Sequence, residues 1–287
     1  MADRAAADPS AIARAASSSR ARHLVRRVLW IVAQALRLVP RSQRAAVAFR
    51  ASRVLAPVIR RVPDMAEALR MHVETEADAA FGIALRVLNR FDIAFDLRFD
   101  IEGEDVLSAA TQRRAGTLLV GTHALTTQLI PRALTDQGTA FHVVSRGPTY
   151  RIAGTPRWID AIHPNPNLLL GVRSALRRGE LVLALLDRGA PQAGRTQCVE
   201  TRLGDVHIAD ALLRVAVNAG ATTLFMMSRM NDDGSVHIRY SAPGAESDSS
   251  PEALAHAYAR LIIDHNAAIM SPEGVVPLGL EPRIGRL

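Results

Sequence analysis

The 287-residue chain has no lysine; all 35 basic residues are arginine. That excludes Schiff-base chemistry on a lysine amine and the lysine of a phosphate-cradling P-loop. Cysteine is nearly missing too. Cys198 stands alone, which excludes an intramolecular disulfide and a thiolate metal cluster and suits a reducing compartment. Aromatic side chains are 4% of the chain against 48% for all apolar types, so aliphatic packing must dominate the core. Several common catalytic signatures are also absent. There is no Gly-x-Ser-x-Gly elbow, no Gly-x-Gly-x-x-Gly behind a strand and no His-Glu-x-x-His.

What is present is unevenly distributed. Residues 1–61 hold 13 Arg against Asp3 and Asp8, a net of +11, and the remainder holds 22 Arg against 26 acids, a net of −4. A basic arm thus precedes a mildly acidic body, and such an arm points to an anionic membrane face or a nucleic acid. Its first 22 residues are rich in Ala, Ser and Arg, the composition of a disordered tail. Between Arg27 and Arg37 lie nine residues, eight of them apolar. That is short of the ~20 needed to span a bilayer. Arg37, Arg41 and Arg44 follow with no small-residue cleavage site, which argues against a signal peptide. An Arg-flanked apolar helix carrying Trp30 fits the membrane interface, with residues 20–61 facing anionic lipid. A helix docked on the core with a solvated basic face is the alternative. Nucleic acid is disfavoured by the apolar centre of the arm and the scarcity of aromatics.

Three regions follow: a basic tail over 1–22, a helical membrane-associated region over 23–90, and an α/β domain over 91–287. Apolar residues recur at helical spacing in 42–62 (Val54, Leu55, Val58, Ile59) and in 64–90 (Phe81, Leu85, Leu88). The period then drops to two: Ile93, Phe95, Leu97, Phe99 and Ile101 alternate with polar or small residues, predicting a strand that Gly103 ends. Strands and helices alternate from there. Strands are expected at 117–121, 141–145, 181–186, 196–203, 222–227 and 236–240. Helices are expected at 104–114, 124–137, 167–178, 208–218 and 251–270, the last capped by Ser250. The fold class is α/β, with a mixed, mostly parallel sheet flanked by helices.

In such sheets ligands bind beyond the carboxyl ends of the strands. Three predicted ends carry polar groups: Thr122-His123, Ser145-Arg146 and Asp187-Arg188-Gly189. A histidine there can act as a base on a hydroxyl, with arginines beside it for phosphate. A structural histidine at a strand end is the competing reading. The remaining histidines form no ligand-spaced pair, and no metal or cofactor is expected.

The strand–Gly-Thr-His123–helix unit resembles the opening motif of the glycerolipid and lipid A acyltransferases. The order of features resembles the late lipid A acyltransferases in particular. The basic interfacial helix comes first, then Ile101-Glu-Gly103. Ser174-Ala-Leu-Arg-Arg-Gly-Glu-Leu-Val-Leu-Ala-Leu-Leu-Asp187 is next, followed by a loop and helix from Leu203 to Ala221. The resemblance spans about residues 22–273. It implies acyl transfer from acyl carrier protein or acyl-CoA to a hydroxyl of a membrane lipid on the cytoplasmic face of the inner membrane, with His123 as general base. Arg146, Arg157 and Arg188 are the implied phosphate contacts, beside Thr122, Asp187 and Gly189. Two departures stand out. The family's carboxylate partner of the histidine is Gln128 here, which can orient a ring but cannot balance its charge. Pro272-Glu273 is followed by Gly-Val-Val-Pro-Leu-Gly instead of an aromatic, arginine-rich tail. In the serine-protease template the carboxylate-to-amide change lowers turnover by ~10⁴. A catalytically silent paralogue that binds lipid or acyl carrier protein is therefore the alternative.

Overall fold

The computed structural model describes residues 27–60, 82, 84–85, 87–122, 125–145, 147–163, 166–186, 196–201, 204–231, 233–244, 250–269 and 280–281. The predicted tail 1–22, most of the predicted helix 64–90 and the Pro272-Glu273 segment lie outside them. The chain divides into two compact units, Met1–Asp96 and Leu97–Leu287.

In the first unit, helix α1 spans 27–38 and α2 spans Arg41–Arg60, with Pro40 between them. α1 buries Ala33 and Leu36 on one side and leaves Val28, Ile31 and Leu38 exposed on the other, with Trp30 also exposed. Residues 28, 31 and 38 fall on one helical stripe, so this helix has two apolar faces and only one is covered. Among the described residues no helix is long and apolar enough to cross a membrane. The inward face of α2 is Ala48, Phe49 and Ser52. Val54, expected in a buried stripe, is exposed; the inward residues start further back, and its neighbour Arg53 reaches over the Phe49 ring instead. Three of the arm's arginines hold the unit together. Arg37 donates to Phe91 O (3.1 Å) and Arg44 to Val39 O and Ala94 O (2.9 and 2.8 Å). Arg41 pairs with Asp96 at 2.8 Å.

The expected strand from Ile93 is shorter than the alternation suggested. Strand β1 is only Phe99–Glu102. Ile93 and Phe95 are buried as a period of two requires, yet the partner strand β10 (Val236–Ser241) begins opposite Phe99. Alternating burial without a partner gives extended chain and no ladder.

The second unit is an α/β layer structure. Its main sheet has eight strands in the order β1-β10-β9-β2-β6-β3-β5-β4. Five of its seven pairings are parallel, with β10–β9 and β4–β5 antiparallel. β2 (Thr117–Gly121) lies between β9 (Thr222–Met230) and β6 (Leu181–Leu185), parallel to both. Beyond β6 come β3 (His142–Val144), β5 (Trp158–Ile162) and β4 (Thr149–Arg151). β2 is a run of five buried residues, the pattern of a strand covered on both faces. One face is covered by α5 (Leu168–Arg177), α6 (Ala211–Ala219) and α7 (Pro251–Ile269), whose apolar sides join Leu118, Val120, Val182, Ala184 and Phe225 in one core. Burying these aliphatic side chains stabilises the domain by about 1.5–3 kcal/mol each. Helix α3 (Glu104–Thr111) precedes β2, and α4 (Ile130–Asp136) follows it.

Three expectations are corrected here. The helix expected from residue 208 starts at Ala211, because Ile208 ends a strand, β8 (Gly204–Ile208). β8 lies between β7 (Gln197–Thr201) and β11 (Leu280–Glu281) in a small antiparallel sheet that the sequence reading missed. The helix expected over 124–137 is a 3₁₀ helix, Leu125–Leu129, followed by α4, because Pro131 has no amide proton to continue a ladder across the junction. The β4–β5 hairpin falls in a stretch where no element was expected. Ser250 caps α7 as predicted, its hydroxyl accepting from Ala253 N at 3.2 Å.

Candidate active site

The parallel strands end level with one another. Gly121 of β2 is opposite Leu185 of β6, and Val144 of β3 is opposite Ile162 of β5. The carboxyl edge of the sheet is thus formed by Gly121-Thr122, Leu185-Leu186, Val144-Ser145 and Ile162-His163 side by side. Gly121 is crowded by side chains, since a Cβ would stand 2.3 Å from Met226 Cε and 3.3 Å from Leu185 Cδ2.

Of the residues expected to carry chemistry, Thr122, Gln128 and Arg157 are described. His123, Arg146, Asp187, Arg188 and Gly189 lie outside the described residues. Thr122 is half-buried at the end of the central strand. Gln128 is exposed on the 3₁₀ helix, and among the described residues its side chain has no hydrogen-bond partner. Arg157 precedes β5, so it lies at the amino end of the sheet, roughly 16 Å along the strand from Ile162 at the edge that holds Thr122. The structure does not bring Arg157 together with Thr122. The segments that carry His123 and Asp187 begin from β2 and β6, which are neighbours in register.

Around that edge the described polar groups are mostly hydroxyls. Tyr258, fully buried on α7 and tilted against Phe225 with ring centroids 5.5 Å apart, donates to Gly121 O at 2.6 Å. Thr126 Oγ1 donates to Ser228 O at 2.8 Å, and Ser228 Oγ donates back to Thr126 Oγ1 at 2.8 Å. Thr127 Oγ1 lies 3.5 Å from Ser228 Oγ. All three of these side chains are buried. Gly121 is therefore held to the last helix and Thr126 to β9. Tyr150 of β4 donates to Gln128 O at 3.4 Å, and burial pushes its phenol up to about 12, so it stays neutral and able to donate. Asp210, buried just before α6, accepts from Arg214 Nε at 2.8 Å, and the adjacent Ala209 N donates to Leu186 O at 3.1 Å. Among the described residues no cluster of His, Cys, Asp or Glu could hold a metal ion.

No family model and no curated protein matches this chain.

The sequence reading missed Tyr258, Ser228, Tyr150 and Asp210. Thr126 and Thr127 stood in view directly behind His123. Tyr258 gave no local signal, because it lies 137 residues from the carbonyl it holds.

Proposed function

We propose that this protein is a peripheral membrane acyltransferase. It moves an acyl chain from a thioester, on acyl carrier protein or coenzyme A, to a hydroxyl of a membrane lipid. What carries the reading is the strand–Gly-Thr-His unit. The central strand of a mostly parallel sheet ends at Gly121-Thr122, at the edge where such sheets take their ligands, and the next residue in sequence is His123. His123 takes the acceptor's proton as its oxygen attacks the thioester carbonyl; the tetrahedral intermediate collapses, the thiolate leaves, and the proton returns to it. The uncovered apolar stripe of α1, flanked by arginine, supports contact with the cytoplasmic face of a membrane. Arg37, Arg41 and Arg44 are engaged within their own unit, so other arginines of the arm provide most of the lipid attraction.

A second reading follows from the exposure of Gln128. An amide facing solvent does not replace a buried carboxylate, and a chain that binds lipid or acyl carrier protein without transfer accounts for it. Full-length protein, an acyl thioester and a membrane lipid extract separate the two. Transfer by the parent, lowered at least about 10²-fold by His123→Ala, supports the enzyme. A dead parent that gains activity on Gln128→Glu supports the silent binder, and equal transfer by parent and His123→Ala rejects the mechanism.

A further inference from the structure

The second unit has its own uncovered apolar surface. Among its described residues three large apolar side chains are exposed: Trp158 (59%), Leu169 (41%) and Leu170 (61%). They lie on two consecutive elements, β5 and the helix that follows it. Ile162 of β5 packs into the core beneath α5, and a Cβ at Gly171 of α5 would meet Ile162 Cγ2 at 3.3 Å. Trp158 and Asp160 share the parity of Ile162 and so point to the α5 side of β5. On α5 itself Val172, Ala175 and Leu176 face inward, leaving Leu169, Leu170, Arg173 and Arg177 outward. The Arg151 guanidinium stands over the Trp158 ring, 6.0 Å from its centroid, and Arg157 is exposed next to it. Against Arg151, Arg173 and Arg177 the face offers one exposed acid, Asp160, while Arg157 has the opposite parity and belongs to the other side of β5.

We propose that the β5–α5 face is a second membrane-contact surface, which lays the catalytic unit itself on an anionic bilayer independently of the N-terminal helix. The chemistry is that of an interfacial helix. Leucines enter the acyl boundary, the tryptophan sits at headgroup level, and the arginines meet lipid phosphates. The shape favours a bilayer over an acidic protein. Trp158 opens β5 at the amino end of the sheet and the leucines open α5 at the carboxyl end, so the length of β5, roughly 13 Å, separates their levels and the face is broad, with no single socket. Leu169 and Leu170 open α5 at the carboxyl edge of the sheet, which brings that edge to the lipid. The inference rests on the peripheral-membrane reading above.

The chain's two tryptophans make the test direct. Full-length Trp30→Phe retains only Trp158, and full-length Trp158→Phe retains only Trp30. Each is mixed with vesicles of phosphatidylethanolamine and phosphatidylglycerol with brominated acyl chains. Expected for Trp158 is a blue-shifted emission and roughly twofold quenching. Both should be absent on phosphatidylcholine vesicles and lost when Leu169→Glu and Leu170→Glu are added. Quenching of Trp30 with Trp158 unchanged overturns this inference and leaves the peripheral reading intact. No binding by either variant overturns both. Shielding of Trp158 from acrylamide by an acidic carrier protein but not by vesicles overturns the lipid assignment.

Discussion

The two ends of the central sheet solve the same problem with different chemistry. At the amino end, charge is met by charge. Glu180, just before β6, accepts from Arg178 Nε and Nη2 at 2.8 and 2.7 Å and faces His142 Nε2 at 2.9 Å. Backbone also approaches backbone there: a Cβ on Gly116 would stand 2.2 Å from Leu176 O. At the carboxyl end most of the described groups are neutral hydroxyls, those of Tyr258 and Thr126 holding backbone carbonyls, with the Asp210–Arg214 pair beside them, and Gly121 is crowded by a methionine side chain that can move. The amino end is rigid by backbone contact and exposed ion pairing. The carboxyl end is held by a few buried bonds at Gly121 and Thr126. Such an arrangement fits an end that must hold a geometry and admit a ligand.

The largest expected effect tests the rigid end. Gly116→Ala forces a methyl group into Leu176 O, which flexible side chains cannot relieve, and should cost about 3 kcal/mol or more in denaturant unfolding. A loss under about 1 kcal/mol would show that the amino end yields as easily as the other, and the contrast would fall. Next comes Tyr258→Phe, which leaves Gly121 O without its buried donor. A loss of about 1–3 kcal/mol is expected, and on the proposed function acyl transfer should fall by more than the stability loss explains. Unchanged stability would mean that the carboxyl end is held by packing alone. The smallest effect is Glu180→Gln. Arg178, by hydrogen bond, and then His142 hold the Glu180 carboxyl below its ordinary value of 4.5. A lowered carboxylate contributes stability above its unfolded pKa and loses it as pH falls through the folded one. The parent should therefore melt slightly higher than the variant at neutral pH, with the gap closing below pH 4.5. A gap that persists in acid would assign the effect to packing; as a surface pair it should also weaken in salt.

Periodicity made most of the layer structure legible. Buried apolar runs became β2, β6 and β9, and the helices between them ended where glycine followed, because burial on both faces leaves no polar alternation to misread. The hairpin β4–β5 was illegible, since Tyr150, Arg151 and Trp158 alternate with nothing and pair only at an edge. β8 escaped the sequence reading, which placed no element over 204–207 and began a helix at Ile208, because three apolar or neutral residues between Asp205 and Ala209 are too short a run to fix a period. For the candidate site, sequence located the end of β2 but not the groups that hold it. Thr126 was adjacent to the motif, whereas Ser228 and Tyr258 reach it only through the fold. Arg157 shows the converse. Its residue type suited a phosphate contact, but a five-residue strand separates it from that edge.

The bond from Tyr258 to Gly121 O also bears on how the chain matures. Its partners are 137 residues apart, so during synthesis β2 exists long before α7 leaves the ribosome, roughly 7–27 s at ordinary elongation rates. Throughout that interval the strand end leading to His123 lacks its anchor. The core that α7 completes and the end of β2 that Tyr258 holds are therefore set together, once nearly the whole sequence has been translated.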